Sequence, residues 1–315
     1  MDNLSDPVFQ QLLGGIFGAL ALATVVGQVL ARRARSEAAR ATVSNLNQRI
    51  MAWWVMCAVF GIAVLTGGIG SIVLFSLLSF LALREFVTLI DSSRADHRAL
   101  LIAFFIATPA QYLLVGFNWY GLFSIFIPVY VFLGIPAVLA VIGDTRDFLR
   151  RTATIQWGLT ICVYAISHAP ALLLLNIPGY DGREALLLFY LVLVVQLSDV
   201  LQYVFGKLFG RHKIAPSVSP NKTWEGFAGG VLCATAIGTA LYWATPFEPL
   251  EAAAMSLTIA LVGFLGGLVM AAIKRDRGVK DYGALIPGHG GVLDRIDSLT
   301  FAAPVFFHLT RFFFQ

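Results

Sequence analysis

Charge is scarce in this chain. Only 13% of its 315 residues are Asp, Glu, Lys or Arg, while 58% are hydrophobic, a balance that excludes an ordinary soluble globular domain. Cysteine is scarcer still. Cys57, Cys162 and Cys233 all lie inside apolar stretches with no paired spacing, so they read as packing residues rather than disulfides or zinc ligands. Nothing resembles a DNA- or RNA-reading module, and a net charge of +4 fits basic loops beside anionic headgroups better than a nucleic-acid patch. Ser-His-Asp and Cys-His logic is missing too. The first apolar segment lacks a basic n-region and a small-residue cleavage site, so it is expected to be a retained span.

What the chain has in quantity is long apolar runs. Windows of about 20 apolar residues, the length that crosses a bilayer, recur from end to end. Hydropathy places about ten spans, at 12–31, 50–68, 70–90, 99–117, 121–142, 155–175, 184–205, 225–243, 251–273 and 297–314. The expected fold is an all-α polytopic integral membrane protein. N-terminal helices fill 1–117, middle helices 118–183, and a C-terminal region 184–315 carries the polar site. Segments 32–49, 91–98, 144–154, 206–223 and 274–298 hold 5, 2, 3, 4 and 5 basic residues, 19 of the 22 Lys and Arg. They alternate in register with the spans, so the positive-inside rule puts these loops and the site in the cytoplasm and both termini on the opposite side. Arg84 is expected to snorkel, Glu85 to support the site from the end of span three, and His168 to be a satisfied core residue.

Three polar stretches interrupt the hydrocarbon. Lys274 to Asp297 packs five basic residues, four Asp, one His, one Pro and five Gly into 24 positions. Lys and Arg neutralise phosphate, Asp holds divalent cations, and Gly lets backbone N–H groups approach an anion. A solvated basic loop would explain the Lys and Arg but not the Asp spacing, nor Gly288-His289-Gly290-Gly291 after Pro287. In span seven, Gln196, Asp199, Gln202 and Tyr203 share one helical face. A carboxylate at that depth needs a partner, a metal or water. Beyond it, Ser219-Pro220-Asn221-Lys222-Thr223-Trp224-Glu225-Gly226 offers an anion site at a helix start, where Thr223 or Ser219 can also cap span eight.

The spacing of these motifs resembles the phosphatidate cytidylyltransferases (CDP-diacylglycerol synthases). Lys274-Arg275, Lys280-Asp281, Pro287, His289-Gly290-Gly291, Asp294-Arg295 and Asp297 fall on that family's signature, although its opening Ser is Ala271 here. The Gly206–Gly226 stretch is similar to a second family motif. The resemblance covers about 190–310 closely. It implies an enzyme that joins CTP to phosphatidate, releasing pyrophosphate and giving CDP-diacylglycerol. It also implies Mg2+ with a second, monovalent cation such as K+, a homodimer, and a bacterial cytoplasmic (inner) membrane. On the matched positions, Asp281, Lys280, His289, Asp294 and Arg295 are the expected catalytic set. Lys222, Lys274, Arg275, Ser219, Thr223, Gly290 and Gly291 are expected to bind substrate, and Asp199, Asp281 and Asp297 to face metal. Asp294 and Asp297 have a second reading as caps of the last helix.

One departure stands out. The family usually reads Gly-Asp-Leu-x-Glu-Ser before its signature, whereas this chain reads Gly266-Gly267-Leu268-Val269-Met270-Ala271. Losing a bridging carboxylate bears on two-metal catalysis. Three functions therefore remain open: the phosphatidate enzyme, a paralogue acting on another lipid or alcohol phosphate, and a non-catalytic membrane protein that binds lipid or nucleotide.

Overall fold

The computed structural model describes residues 6–90 and 94–315. Each of the ten expected spans lies on one long helix. We number these α1 Pro7–Arg33, α2 Glu37–Leu65, α3 Gly67–Thr88, α4 Arg94–Gly116, α5 Tyr120–Ile142, α6 Phe148–Leu174, α7 Glu184–Phe209, α8 Trp224–Ala240, α9 Pro249–Asp276 and α10 Leu293–Phe314. Eight are long and apolar enough to cross a membrane by length and composition. The others are α8, at 17 residues, and α10, whose first turns carry Asp294, Arg295 and Asp297. The protein is an all-α integral membrane protein. Its one antiparallel hairpin among the described residues pairs β1 Lys213–Ala215 with β2 Ser219–Thr223, between α7 and α8.

Local chemistry sets the helix starts. Asp6 accepts from Val8 N at 2.8 Å with Pro7 at the first helical position, where its missing N–H costs nothing. Ser36 Oγ accepts from Ala39 N to start α2. In α4 and α6, a widened π turn, at Ala103–Ala107 and Thr160–Ala165, lies just before Pro109 and Pro170. A proline deletes one rung of the ladder and crowds the carbonyl four residues back, and a π turn absorbs that misfit.

The core is centred on α6 and α7, with Leu186, Leu187, Leu188, Tyr190 and Leu191 fully buried. Tyr190 OH donates to Ala252 O at 3.1 Å, fixing α7 to α9. Exposed Leu22, Met51, Ile62, Phe105 and Leu133 form the apolar outer surface that a bilayer covers. Glycines let α7 and α8 touch: a β-carbon on Gly226 would stand 2.7 Å from Gln202 O, and one on Gly229 2.6 Å from the Phe205 ring. The close packing at Gly226, Gly229 and Gly230 is therefore made within the chain. The peripheral α1 crosses α2 at Gly27, against Asn47 and Ile50, and Trp54 Nε1 donates to Thr24 Oγ1 at 3.0 Å.

The two ends of the bundle differ in kind. At one end Arg183 pairs with Asp6 at 3.0 Å, Tyr180 OH donates to Ala244 O, and Phe247 packs on Phe314 at 4.8 Å. Both described termini are there. At the other end lie the finish of α3, α7 and α9, the start of α2 and α10, and the β-hairpin, and there the polar stretches meet.

Candidate nucleotide and lipid-phosphate site

The loop from Arg277 to Val292 is held by two buried carboxylates. Asp294, 2% exposed at its side chain, takes Lys274 Nζ on Oδ1 at 2.8 Å. Its Oδ2 takes Tyr282 N at 2.7 Å and Gly291 N at 3.0 Å. Those three charge-assisted bonds commit Asp294 to shaping the loop. Glu85, from the end of α3, accepts from Val292 N and Leu293 N, each at 2.9 Å. The first N–H groups of a helix have no intrahelical partner, so Glu85 is the acceptor that starts α10. Gly291 and Gly283 pack against that carboxylate with no room for a β-carbon. Tyr282, which sequence reasoning passed over, completes the frame by donating its OH to Met270 O at 2.9 Å.

Inside this frame runs a tight turn. Ile286 N donates to Gly290 O at 2.8 Å and His289 N to Ile286 O at 2.9 Å. Pro287 fills the position where its fixed φ suits a turn, and Gly288 follows at φ +73°, the left-handed value a type II turn requires. Gly290 is also left-handed, at φ +84°. The turn turns His289 inward, 9% exposed, with its ring edge-on to Trp53 at 6.3 Å. Burial, reinforced by the Arg295 guanidinium, holds the His289 imidazole below its ordinary pKa. Lys280 and Asp281, by contrast, are solvent-exposed, and a β-carbon on Gly290 would stand 3.3 Å from Asp281 Cβ.

A second group of charges lies between α7, α9 and α10. Asp199 lies within electrostatic reach of Asp297, Lys222 and Arg295, and Asp297 within reach of Lys274, Lys222 and Arg295, with Ser298 beside both carboxylates. Lys222 reaches in from β2, its Nζ 4.6 Å from the centre of the Phe264 ring, a cation–π distance. Burial pushes the Lys222 ammonium below the usual lysine value while Asp199 and Asp297 pull it back up. A β-carbon at Gly267 would stand 3.1 Å from Lys222 Nζ and 3.2 Å from Ser298 Oγ. Gly267 is where the family pattern has Asp, and the lysine occupies the neighbourhood which that carboxylate would enter.

The expected site residues thus sort by location. Asp199, Lys222 and Asp297 form one half-buried group, and His289, Gly290, Gly291 and Arg295 a second beside it. Arg295 reaches both, acting on the two carboxylates and on His289. Thr223 is the cap of α8, accepting from Gly226 N at 3.1 Å, and Ser219 pairs with Ala215 in the hairpin. Arg275 donates Nε to Val218 O at 3.2 Å and Nη1 to Val279 O at 3.1 Å, tying the hairpin to α9. Asp281 is not among the charges acting on Asp199 and Asp297. No cluster of three His, Cys, Asp or Glu that would hold a metal occurs among the described residues.

Comparison with known proteins identifies the family. Residues 47–313 match the model of the cytidylyltransferase family, and the chain belongs to that family. It is similar to the uncharacterized protein YnbB of Escherichia coli (strain K12), 40% identical over 309 residues, 97% of this chain and 99% of YnbB. It is also similar to the phosphatidate cytidylyltransferase of Staphylococcus aureus (strain COL), 44% identical over 118 residues, 37% of this chain and 45% of that enzyme. The phosphatidate cytidylyltransferase of Mycobacterium leprae (strain TN) is 46% identical over 119 residues, 37% of this chain and 38% of the enzyme. The similarity to these two enzymes spans less than half their length.

Proposed function

We propose that this protein transfers CMP from CTP to phosphatidate, giving CDP-diacylglycerol and pyrophosphate. The observation that carries the reading is a half-buried ammonium, Lys222, set in the field of the Asp199 and Asp297 carboxylates, with Arg295 linking that group to the glycine-rich turn of His289. The names of the Staphylococcus and Mycobacterium relatives support phosphatidate as acceptor.

In this reaction a phosphate oxygen of the lipid attacks the α-phosphorus of CTP. The new P–O bond forms as the bond to the β-phosphate oxygen breaks, and its electron pair leaves with pyrophosphate. No covalent nucleophile on the protein is needed, so the chain acts by positioning and by neutralising charge. Lys222, fixed between β2 and the Phe264 ring, sits to meet the charge that builds on the leaving phosphate. Arg295 and the N–H groups of Gly288 and Gly290 orient the second phosphate. Lys274 keeps its tie to Asp294 and so sets where that turn lies. Asp199 and Asp297 would hold a magnesium ion, which is commonly bound by one or two carboxylates with water and substrate phosphates completing its shell. When bound, the ion lowers the charge barrier between the two phosphates.

A second reading has one observation behind it. Gly267, Met270 and Ala271 replace the family's polar residues, and Met270 is fully buried. Such a repacked wall suits a paralogue whose acceptor is another lipid or alcohol phosphate. Pyrophosphate release in detergent–lipid micelles with CTP, Mg2+ and phosphatidate tests both. Release that depends on phosphatidate is expected. Lys222→Met should lower kcat by about 10²-fold, the scale on which one fixed charge at a transition state acts. Release only with a different phosphate acceptor selects the paralogue. A wild-type protein that binds no CTP sinks both readings and leaves a non-catalytic lipid-binding protein.

A further inference from the structure

We infer that α2 supplies a residue of the acceptor site: Arg49 binds the phosphate monoester of the lipid, together with Arg295 and His289. This deepens the phosphatidate reading and rests on it.

The placement comes first. Residues 48 and 49 lie against the turn that carries His289: a β-carbon on Gly288 would stand 3.5 Å from Arg49 Cγ and 3.9 Å from Gln48 Cβ. One helical turn further along α2, Trp53 meets the His289 ring edge-on. The α2 helix is therefore a wall of the His289 pocket, although neither Arg49 nor Trp53 belongs to any motif of the C-terminal half.

Charge gives the second observation. Arg49 and Arg295 both act electrostatically on His289, so two guanidinium groups from helices distant in sequence converge on one imidazole. No carboxylate pairs with Arg49 among the described residues. Arg295 Nε is buried with no hydrogen-bond partner, and a buried unmet donor is costly unless a ligand satisfies it. An anion with several acceptor oxygens meets both needs, and guanidinium is the group best shaped to bind phosphate.

Depth identifies the source. On the turns beside Arg49, Met51 and Val55 are 65% and 57% exposed, an apolar surface continuous with the hydrocarbon-facing side of the bundle. Arg49 is also exposed and Trp53 half-buried. Arg and Trp at such a boundary mark the headgroup level of a bilayer, where the phosphate of phosphatidate lies. A soluble phosphate would need no arm at that depth.

The test measures ligand affinity by thermal shift, and turnover in parallel, on the full chain in micelles. Dioctanoyl phosphatidate, glycerol 3-phosphate and CTP are the probes. Arg49→Ala should weaken dioctanoyl phosphatidate about tenfold, as loss of one charge-assisted phosphate contact does, and raise its KM alike, with CTP affinity as in wild type. Arg49→Lys should recover part of the loss, since it keeps the charge without the fork. Glycerol 3-phosphate bound as tightly as the lipid, with the same Arg49 dependence, would keep the phosphate contact but assign it to a soluble acceptor. Equal phosphatidate affinity in Arg49→Ala and wild type overturns the inference, and pyrophosphate release by the wild type would then leave the transferase reading standing alone. Wild-type protein that binds CTP but neither phosphate ester overturns both.

Discussion

Glu85 shows how much one side chain can organise from a distance. It lies more than two hundred residues from the N–H groups it caps, yet it starts the helix that bears Asp294, Arg295 and Asp297. Glu85→Ala would leave Val292 N and Leu293 N buried without an acceptor, at about 1–3 kcal/mol for each orphaned group. Glu85→Gln keeps the size but offers one carbonyl oxygen and an NH2 that opposes a backbone donor. Both variants should melt earlier in detergent, alanine more than glutamine, and both should weaken CTP binding because the 286–291 turn loses its anchor. Unchanged melting in Glu85→Ala would show that α10 starts without it. The sequence marks Glu85 as a costly carboxylate near a span end, which made it a supporting residue. Its partner was not legible, because a backbone N–H has no side-chain signature. Arg49 and Trp53 were hidden for a related reason: a basic residue before a span already satisfies the positive-inside pattern, so nothing in one dimension shows that it reaches a turn near residue 288.

At the scale of elements, hydropathy was an accurate guide, because a bilayer imposes both the length and the apolar character of each helix. The small β-hairpin was less visible. Its residues Lys213–Thr223 contain the Ser-Pro-Asn-Lys motif, whose composition reads as loop, and its job is to deliver Lys222 beneath Phe264. Thr223 bears on this. Its side chain sits at the joint between hairpin and helix, capping α8 at Gly226 N, and a β-carbon on Gly210 would press 2.7 Å from its hydroxyl. Thr223→Val should therefore cost about 1 kcal/mol as a lost cap and reduce kcat through misplacement of Lys222, while Thr223→Ser restores stability and activity. A Thr223→Val protein that melts like wild type, yet has a raised KM for CTP, would make the hydroxyl a substrate contact instead. The exposure of Asp281 was legible only in three dimensions. The matched family positions group Asp281 with Asp199 and Asp297 as metal-facing carboxylates; in the structure Asp281 is solvent-exposed, on the loop that Asp294 and Glu85 anchor.

The whole molecule is a bundle with two unlike ends, and that polarity makes a prediction about the membrane. The end with Asp6, Arg183, Ala244 and Phe314 carries few basic groups. The site end carries the segments that hold 19 of the 22 Lys and Arg. Translocation leaves such basic loops in the cytoplasm, which is also where CTP is made available to a membrane enzyme of this kind. On that prediction both described termini would lie on the far side, and a lipid phosphate would reach Arg49 from the cytoplasmic leaflet. In a background with Cys57, Cys162 and Cys233 replaced, Asp181→Cys should react with a membrane-impermeant maleimide in intact cells. Arg146→Cys, on the α5–α6 loop at the site end, should react only after permeabilisation. The reverse pattern would place the site outside the cytoplasm, away from its nucleotide, and would argue against CTP as the donor however well Lys222 and the 286–291 turn are shaped to hold a phosphate.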